Sequence, residues 1–350
     1  MGIGGFFCFE QLQQENNGYI ASLNGDARYF MSGRCAIYYA LQDVMLTDTK
    51  RVAYLPAYTC ETVIGSYEKA NYTIHYYDVD HNMVPIFEDN MIDKISVLAL
   101  CGYYGFCHYD RDFVARCAQR GVSIIEDVTH SAFSLDGIDP HCDYVVGSMR
   151  KWIGVPSGGF AVKKKGQFTL PILDPDMTHL DLRISSMDMK EEALKEGKLD
   201  VVQIASDRFW SAEMMLRQMF DAHGSDPRSI QIINHYPFSK MIERRRQNYQ
   251  YLLDHLDPSE YYSTVFPTLT KEACPSHFTI YVSDRAALQN YLKSHDVSTT
   301  AYWPLPPSVD ISQYPQAQYI YNHVLSIPCD QRYGESDMQL VCDLLNQFHH

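Results

Sequence analysis

From about residue 50 onward, short β-rich apolar runs alternate with stretches patterned as helices. The runs are "RVAYLPAY", "TIHYYDVD", "SVLALCGYYG", "VSIIEDV", "DYVVGSM" and "GGFAVKKK"; "ETVIGSYEKA" and "DRDFVARCAQRG" lie between them as helices. Alternation at this spacing predicts an α/β fold with a mainly parallel central sheet, because parallel strands need helical crossovers. Such a sheet opens its ligand crevice at the carboxyl ends of its strands. Polar residues there are the candidates for chemistry, and Cys60, Asp127 and Ser148 are such residues. Between Met187 and His223 the pattern turns helical and polar, which predicts helices on the sheet's edge or at a subunit contact. "SKMIERRRQNYQYLLDHL" then repeats Ile242, Arg245, Tyr249, Leu252 and Leu256 at a three-and-four spacing. That spacing marks one face of a long helix bridging two domains. Beyond it a strand, helix, strand, helix order suits a small α+β domain.

A chain of 350 residues exceeds what one core usually serves. The division expected is an N-terminal arm over 1–24, a large domain over 25–238 and a small C-terminal domain over 239–350. With 43 acidic against 29 basic residues the net charge is −14, which repels polyanions and argues against nucleic acid. Ten cysteines at irregular spacing include no C-x-x-C pair, so they read as reduced core residues. "MGIGGFFCFE" carries no basic n-region or long apolar h-region, and no run of about 18 apolar residues follows. A soluble cytoplasmic protein without a membrane span is the expectation. His349 and His350 are given no role.

Three pieces carry chemistry. In "VSIIEDVTHSAFS" a strand delivers Asp127 to the sheet edge, with His130 three residues later; a helix cap or surface turn is the bland alternative. In "DYVVGSMRKWIGVPSGG" a strand ends in Ser148, and Lys151 follows within one short turn. A lysine held in a crevice loses hydration and titrates more easily; an exposed loop lysine is the alternative. In "FMSGRCAIYYALQDV" Ser32 and Gly33 precede a helical run, whose free N–H groups hold an anion or serve only a plain cap. Their order is more specific than any part. Pyridoxal 5'-phosphate needs an anion cradle, a carboxylate for its pyridine nitrogen and a lysine for its aldehyde.

Here the chain resembles the DegT/DnrJ/EryC1/StrS family of fold-type-I, pyridoxal phosphate-dependent sugar aminotransferases. The similarity runs through "SGRCAIYYAL", "VAYLPAYTCETVIGSYEKANYTIHYYDVD", "IIEDVTHS", "SMRKWIGVPSGG", "IERRRQNYQYLLDHL" and "LSIPCDQRYGESD". The resemblance implies Lys151 as Schiff-base lysine and proton carrier, and Asp127 as partner of the pyridine nitrogen. It implies His130 at the cofactor's phenolic oxygen, and Ser148 with the backbone of Gly33 and Arg34 at the phosphate, adjoined by Cys35. Cys60 stands where many members stack an aromatic ring on the cofactor. The implied partners are an amino-acid donor, glutamate in the family, and a keto-sugar acceptor carried on a nucleotide or a lipid. A homodimer is implied too.

The chain also departs from the pattern. Ser148 and Lys151 are three apart where the family has five, which reads as a two-residue deletion. Either the Cys60 thiol packs against the ring or Tyr58 swings in. "SIQIINHYPF" replaces the family's G-Y-N-x-R segment, so its inter-subunit contact falls to Asn234 or His235, or is lost. Arg150 either clamps a substrate anion or is a solvated neighbour of Lys151. Tyr302 and Trp303 line the substrate mouth or simply pack, while Lys163 to Lys165 read as an exposed turn. Arg244 to Arg246 lie partly along a solvated helix face. In "CGYYGFCHYD", Tyr104 and Gly105 match a family Y-G, and strand and loop are preferred to a metal site. The rival readings are a non-transaminating pyridoxal phosphate enzyme, which Lys151 argues against, and a non-catalytic scaffold or regulatory protein of the same fold.

Overall fold

A computed structural model describes residues 2–13 and 18–349. After a short helix, α1 (Tyr19–Ser22), the chain enters an eight-stranded sheet. Its strands are β1 (Asp26–Phe30), β2 (Val52–Pro56), β3 (Thr73–Val79), β4 (Pro85–Ile86), β5 (Val97–Cys101), β6 (Ser123–Asp127), β7 (Tyr144–Ser148) and β8 (Gly159–Lys163). They lie in the order β1-β8-β7-β6-β5-β2-β3-β4. The five strands from β7 to β3 run parallel, and β8, β1 and β4 join antiparallel. The mainly parallel sheet expected from the alternation is therefore present. Val97 to Leu100 of β5 are buried without alternation, as a strand covered on both faces requires.

The helices α2 (Gly33–Val44), α3 (Glu61–Lys69) and α4 (Arg111–Gln119) fall within this region. Local chemistry sets their starts: the Ser32 side chain accepts from Cys35 N, and Asp110 accepts from Asp112 N and Phe113 N. The polar stretch after β8 forms a helical hairpin, α5 (Met177–Glu196) and α6 (Leu199–Arg217). Asp176 caps its start, and Gly197 at φ +70° makes the left-handed exit that reverses the chain. α7 (Pro227–His235) follows, with Pro227 in its first turn.

The long α8 (Phe238–His255) buries Met241, Arg245, Asn248, Tyr249 and Leu252. The expected stripe is shifted at its ends, since Ile242 is half-buried and Leu256 lies past the helix. The rest builds a three-stranded antiparallel sheet, ordered β11-β10-β9, from β9 (Tyr262–Thr264), β10 (Phe278–Val282) and β11 (Val324–Ile327). The helices α9 (Arg285–Ser294), α10 (Pro315–His323) and α11 (Glu335–Gln347) accompany it. The N-terminal segment contacts the chain on both sides of α8: Ile3 pairs with Val297, and Glu10 N donates to Gly154 O. Among the described residues no helix is long and apolar enough to cross a membrane, and no cluster suited to a metal ion occurs.

Candidate active site

Strand order reverses between β2 and β5, because the chain builds outward to β3 on one side and to β6 and β7 on the other. A crevice at the carboxyl ends of strands is expected at such a switch point. A cavity of about 520 Å³ lies there, lined by residues that follow or end β2, β5, β6 and β7: Cys60, Cys101, Asp127 and Ser148. Gly33, Arg34, His130 and Lys151 join them. Seven of the eight residues singled out from the sequence thus converge on one cavity. Cys35 does not: its side chain is fully buried, and its thiol donates to Met219 O at 3.4 Å.

Asp127 ends β6 and accepts from Thr129 N at 2.9 Å. Burial raises its carboxyl above the ordinary range, opposed by the Thr129 hydrogen bonds and the charge of Lys151. Ser148 ends β7 and leads into a 3-10 turn, Met149–Lys151, that carries Arg150 and Lys151. Trp152, fully buried, pins this turn to the β6 loop by donating from Nε1 to Thr129 O at 2.9 Å. Lys151 is exposed at the cavity mouth, not desolvated as the sequence reading expected. Its Nζ lies 5.3 Å from the centre of the Tyr302 ring.

His130 is 3% exposed, among Tyr302, Trp303, Tyr104 and His277 with ring centres 5.0 to 6.2 Å away. Burial, then the charges of Lys151 and His277, hold it well below the usual imidazole range, so it is neutral. Its Nδ1 is buried without a hydrogen-bond partner. A buried polar atom of this kind marks a missing partner. At the start of α2, a Cβ added to Gly33 would stand 3.4 Å from Ser148 Cβ and 3.6 Å from Thr129 Oγ1. Gly33 thus keeps the helix start open beside two hydroxyl-bearing residues, which suits a phosphate. An orphaned imidazole nitrogen, an open helix start beside Ser148 and a half-buried carboxylate around one lysine fit pyridoxal phosphate.

The structure places the residues of each alternative left open by the sequence. Cys60 lines the cavity, with its thiol 3.1 Å from Thr62 Oγ1. Tyr58 is fully buried, and its hydroxyl meets that of Tyr104 at 2.7 Å and donates to Tyr302 O. Tyr302 and Trp303 line the cavity. Arg150 is no solvated neighbour, since its side chain is 14% exposed and pairs with Glu213. Asn234 accepts from the Tyr29 hydroxyl at 3.1 Å, His235 bonds Gln231 O, and neither lines the cavity of its own chain. Lys163 pairs with Asp43 at 2.6 Å. Arg245 is 1% exposed, as its place on the buried stripe of α8 predicts, while Arg244 is exposed, in line with a run only partly on a solvated face. Gly105, at φ +101°, passes where a Cβ would stand 1.9 Å from Cys274 O, so only glycine fits.

Sequence reasoning missed the contribution of the hairpin and the arm. Arg183 of α5 and Phe209, Trp210, Glu213 and Arg217 of α6 line the cavity, as do Gly4 to Phe7. No local spacing signals this, because the partners lie 30 or more residues apart. His277 was missed too; burial first, then the Arg245 charge, lower its imidazole to about 3.

The fold is similar to that of several solved proteins described as sugar aminotransferases. PseC of Helicobacter pylori, titled an aminotransferase of pseudoaminic acid biosynthesis, superposes with TM-score 0.69 at 9% identity, covering 99% of this chain and 98% of that one. DesV of S. venezuelae gives 0.67 at 15% identity over 94% and 86%. A Streptococcus pneumoniae protein described as a sugar aminotransferase, solved in PLP and PMP forms, gives 0.67 at 12% over 98% and 92% for the PLP form. By sequence, residues 234–346 match the model of the DegT/DnrJ/EryC1/StrS aminotransferase family. The family's sequence model thus bears out the resemblance over residues 234–346, and the fold of the whole chain is similar to that of these structures. No curated protein matches the chain by sequence.

Proposed function

We propose that the protein is a pyridoxal phosphate-dependent aminotransferase that moves an amino group from an amino-acid donor, glutamate by resemblance, to a nucleotide-linked keto sugar. The observation that carries this is the convergence of Lys151, Asp127, His130, Gly33 and Ser148 on one cavity at the switch point of the sheet. Its volume of about 520 Å³ lies within the range of small-molecule sites.

Each residue then has a defined task. The N–H groups of Gly33 and Arg34 and the Ser148 hydroxyl hold the phosphate. His130, whose Nδ1 is buried without a partner, would serve the phenolic oxygen. Asp127, ionised, keeps a proton on the pyridine nitrogen, so the bound ring serves as the electron sink of the reaction. Lys151 would hold the cofactor through its Nζ, and that amine is the group placed to carry the proton of the donor's α-carbon. Tyr302 and Trp303, in the loop after α9, line the cavity and would limit water there. We place the domain boundaries at 24/25 and 238/239, on the ends of the arm and the start of α8. The ten free thiols support a reducing, cytoplasmic setting, and the fold supports a homodimer by analogy.

The test is spectroscopic. The purified protein with added cofactor should turn yellow, and borohydride should fix the label on Lys151. Lys151→Ala should retain some cofactor affinity, lose the fixed label and lose all turnover. Near-normal turnover of that variant would remove the assignment. A colourless protein indifferent to the cofactor would favour the scaffold reading.

A further inference from the structure

The cavity is a positive basin in an acidic chain: seven cationic side chains line it against four carboxylates, while the whole molecule carries −14. The helical hairpin contributes the most specific part of that charge. Arg150, from the turn beside Lys151, and Arg183, from α5, both donate through Nη2 to the same oxygen of Glu213, Oε1. Arg183 is 1% exposed, and its guanidinium stacks 4.1 Å from the centre of the Phe209 ring. Its Nε is buried without a partner, as are both ring nitrogens of His179 one turn earlier. The donors in this corner outnumber what one glutamate satisfies. Burial would raise the Glu213 carboxyl, but Arg150, Arg183 and then Lys151 hold it far below its usual range. The carboxylate therefore sits within electrostatic reach of the reactive amine.

We propose that Arg150 and Arg183 receive the α-carboxylate of the amino donor, and that Glu213 is a resident carboxylate which the donor displaces. This rests on the aminotransferase reading above. The planar fork of an arginine suits a carboxylate, and Glu213 itself exhibits the ligand chemistry these two accept. The exchange conserves charge, with one carboxylate leaving the arginine pair as another enters. It also explains why a turn that already carries Arg150 and Lys151 abuts a further cation in Arg183: a cofactor phosphate and an incoming carboxylate would together neutralise the basin.

The test compares L-glutamate with its α-amide on the holoenzyme, reading the bleaching of the yellow cofactor band. In the unmodified protein, glutamate should half-saturate bleaching at a concentration about tenfold or more below that of the amide, as loss of a charge-assisted bond requires. Arg150→Gln and Arg183→Lys should erase most of that preference while the band itself persists. Glu213→Gln should lower the half-saturating glutamate concentration and leave the amide's unchanged. Arg150→Gln and Glu213→Gln carry the test if the buried Arg183 variant fails to fold. A yellow protein whose variants keep the full preference overturns the proposal alone, whereas no yellow band at all overturns the aminotransferase reading with it. UDP serves as a separate probe. Protection by UDP that Arg150→Gln abolishes, with the glutamate preference intact, would assign the arginines to a diphosphate and refute the proposal.

Discussion

Arg245 is buried to 1% exposure and stands where the lysine turn meets the small sheet. Its guanidinium donates to Gln331 Oε1 at 2.9 Å, Ser276 O at 2.9 Å, Trp152 O at 3.3 Å and Pro275 O at 3.5 Å, and it lies 4.8 Å from the centre of the Trp152 ring. Methionine in its place keeps a flexible apolar stem but no donor. Trp152 O keeps a second partner in Gln331 Nε2 at 2.7 Å; the Ser276 carbonyl loses its charged donor. Hydrogen bonds to a charged group are each worth about 1.5–3 kcal/mol. Removing a buried guanidinium also recovers its desolvation cost, so Arg245→Met should cost about 3–5 kcal/mol rather than the full sum. Urea unfolding followed by tryptophan fluorescence measures the loss. Because Trp152 pins the turn carrying Lys151, turnover should fall further than cofactor affinity. Arg245→Lys should recover less than half, since an ammonium cannot span the fork. A loss below about 1 kcal/mol, the cost of an average point substitution, would refute the claim that this arginine holds the lysine turn to the loops around Ser276 and Gln331.

Asp127→Asn should keep the fold and cut turnover about a hundredfold or more through loss of the charge opposite the pyridine nitrogen; steady-state rates check it. Gly33→Ala should bind cofactor at least about tenfold more weakly, because its methyl enters the phosphate cradle. Its melting temperature should hardly move, and unchanged cofactor affinity would dismiss that cradle. Glu126 accepts from Tyr109 Oη at 2.9 Å and Asp139 N at 2.8 Å, and burial pushes its carboxyl up to about 8. Its folded pKa is raised, so its stability contribution is complete below about 4.5 and is lost as pH rises through about 8. Stability should therefore decline across that window, and Glu126→Gln should flatten the decline; equal slopes by chemical denaturation at several pH values would contradict the assignment.

The chain's own pattern determined the strands and the reactive groups at their ends. Runs such as Val97 to Leu100 bury on both faces, so their periodicity announces a covered parallel strand. The residue after such a run is carried to the sheet edge by the strand's own geometry, which is why Asp127, Ser148 and the neighbouring Lys151 were legible as chemistry. Likeness to a known family supplied their roles, since no spacing alone distinguishes a cofactor carboxylate from a helix cap.

Only the tertiary structure decided what faces the cavity from elsewhere in the chain. The Arg150–Glu213–Arg183 cluster joins residues 63 and 30 positions apart. The spacing along α8 puts Arg245 on the buried stripe, but its guanidinium partners Trp152, Ser276 and Gln331 come from distant parts of the chain that only the closed fold brings together. Cys60 rather than Tyr58 faces the site because Tyr104 and Tyr302 hold the Tyr58 hydroxyl away from it. Local patterning follows from a residue's own backbone and near neighbours, while partner choice over long separations is settled when the helical hairpin, the arm and the two sheets close on one another.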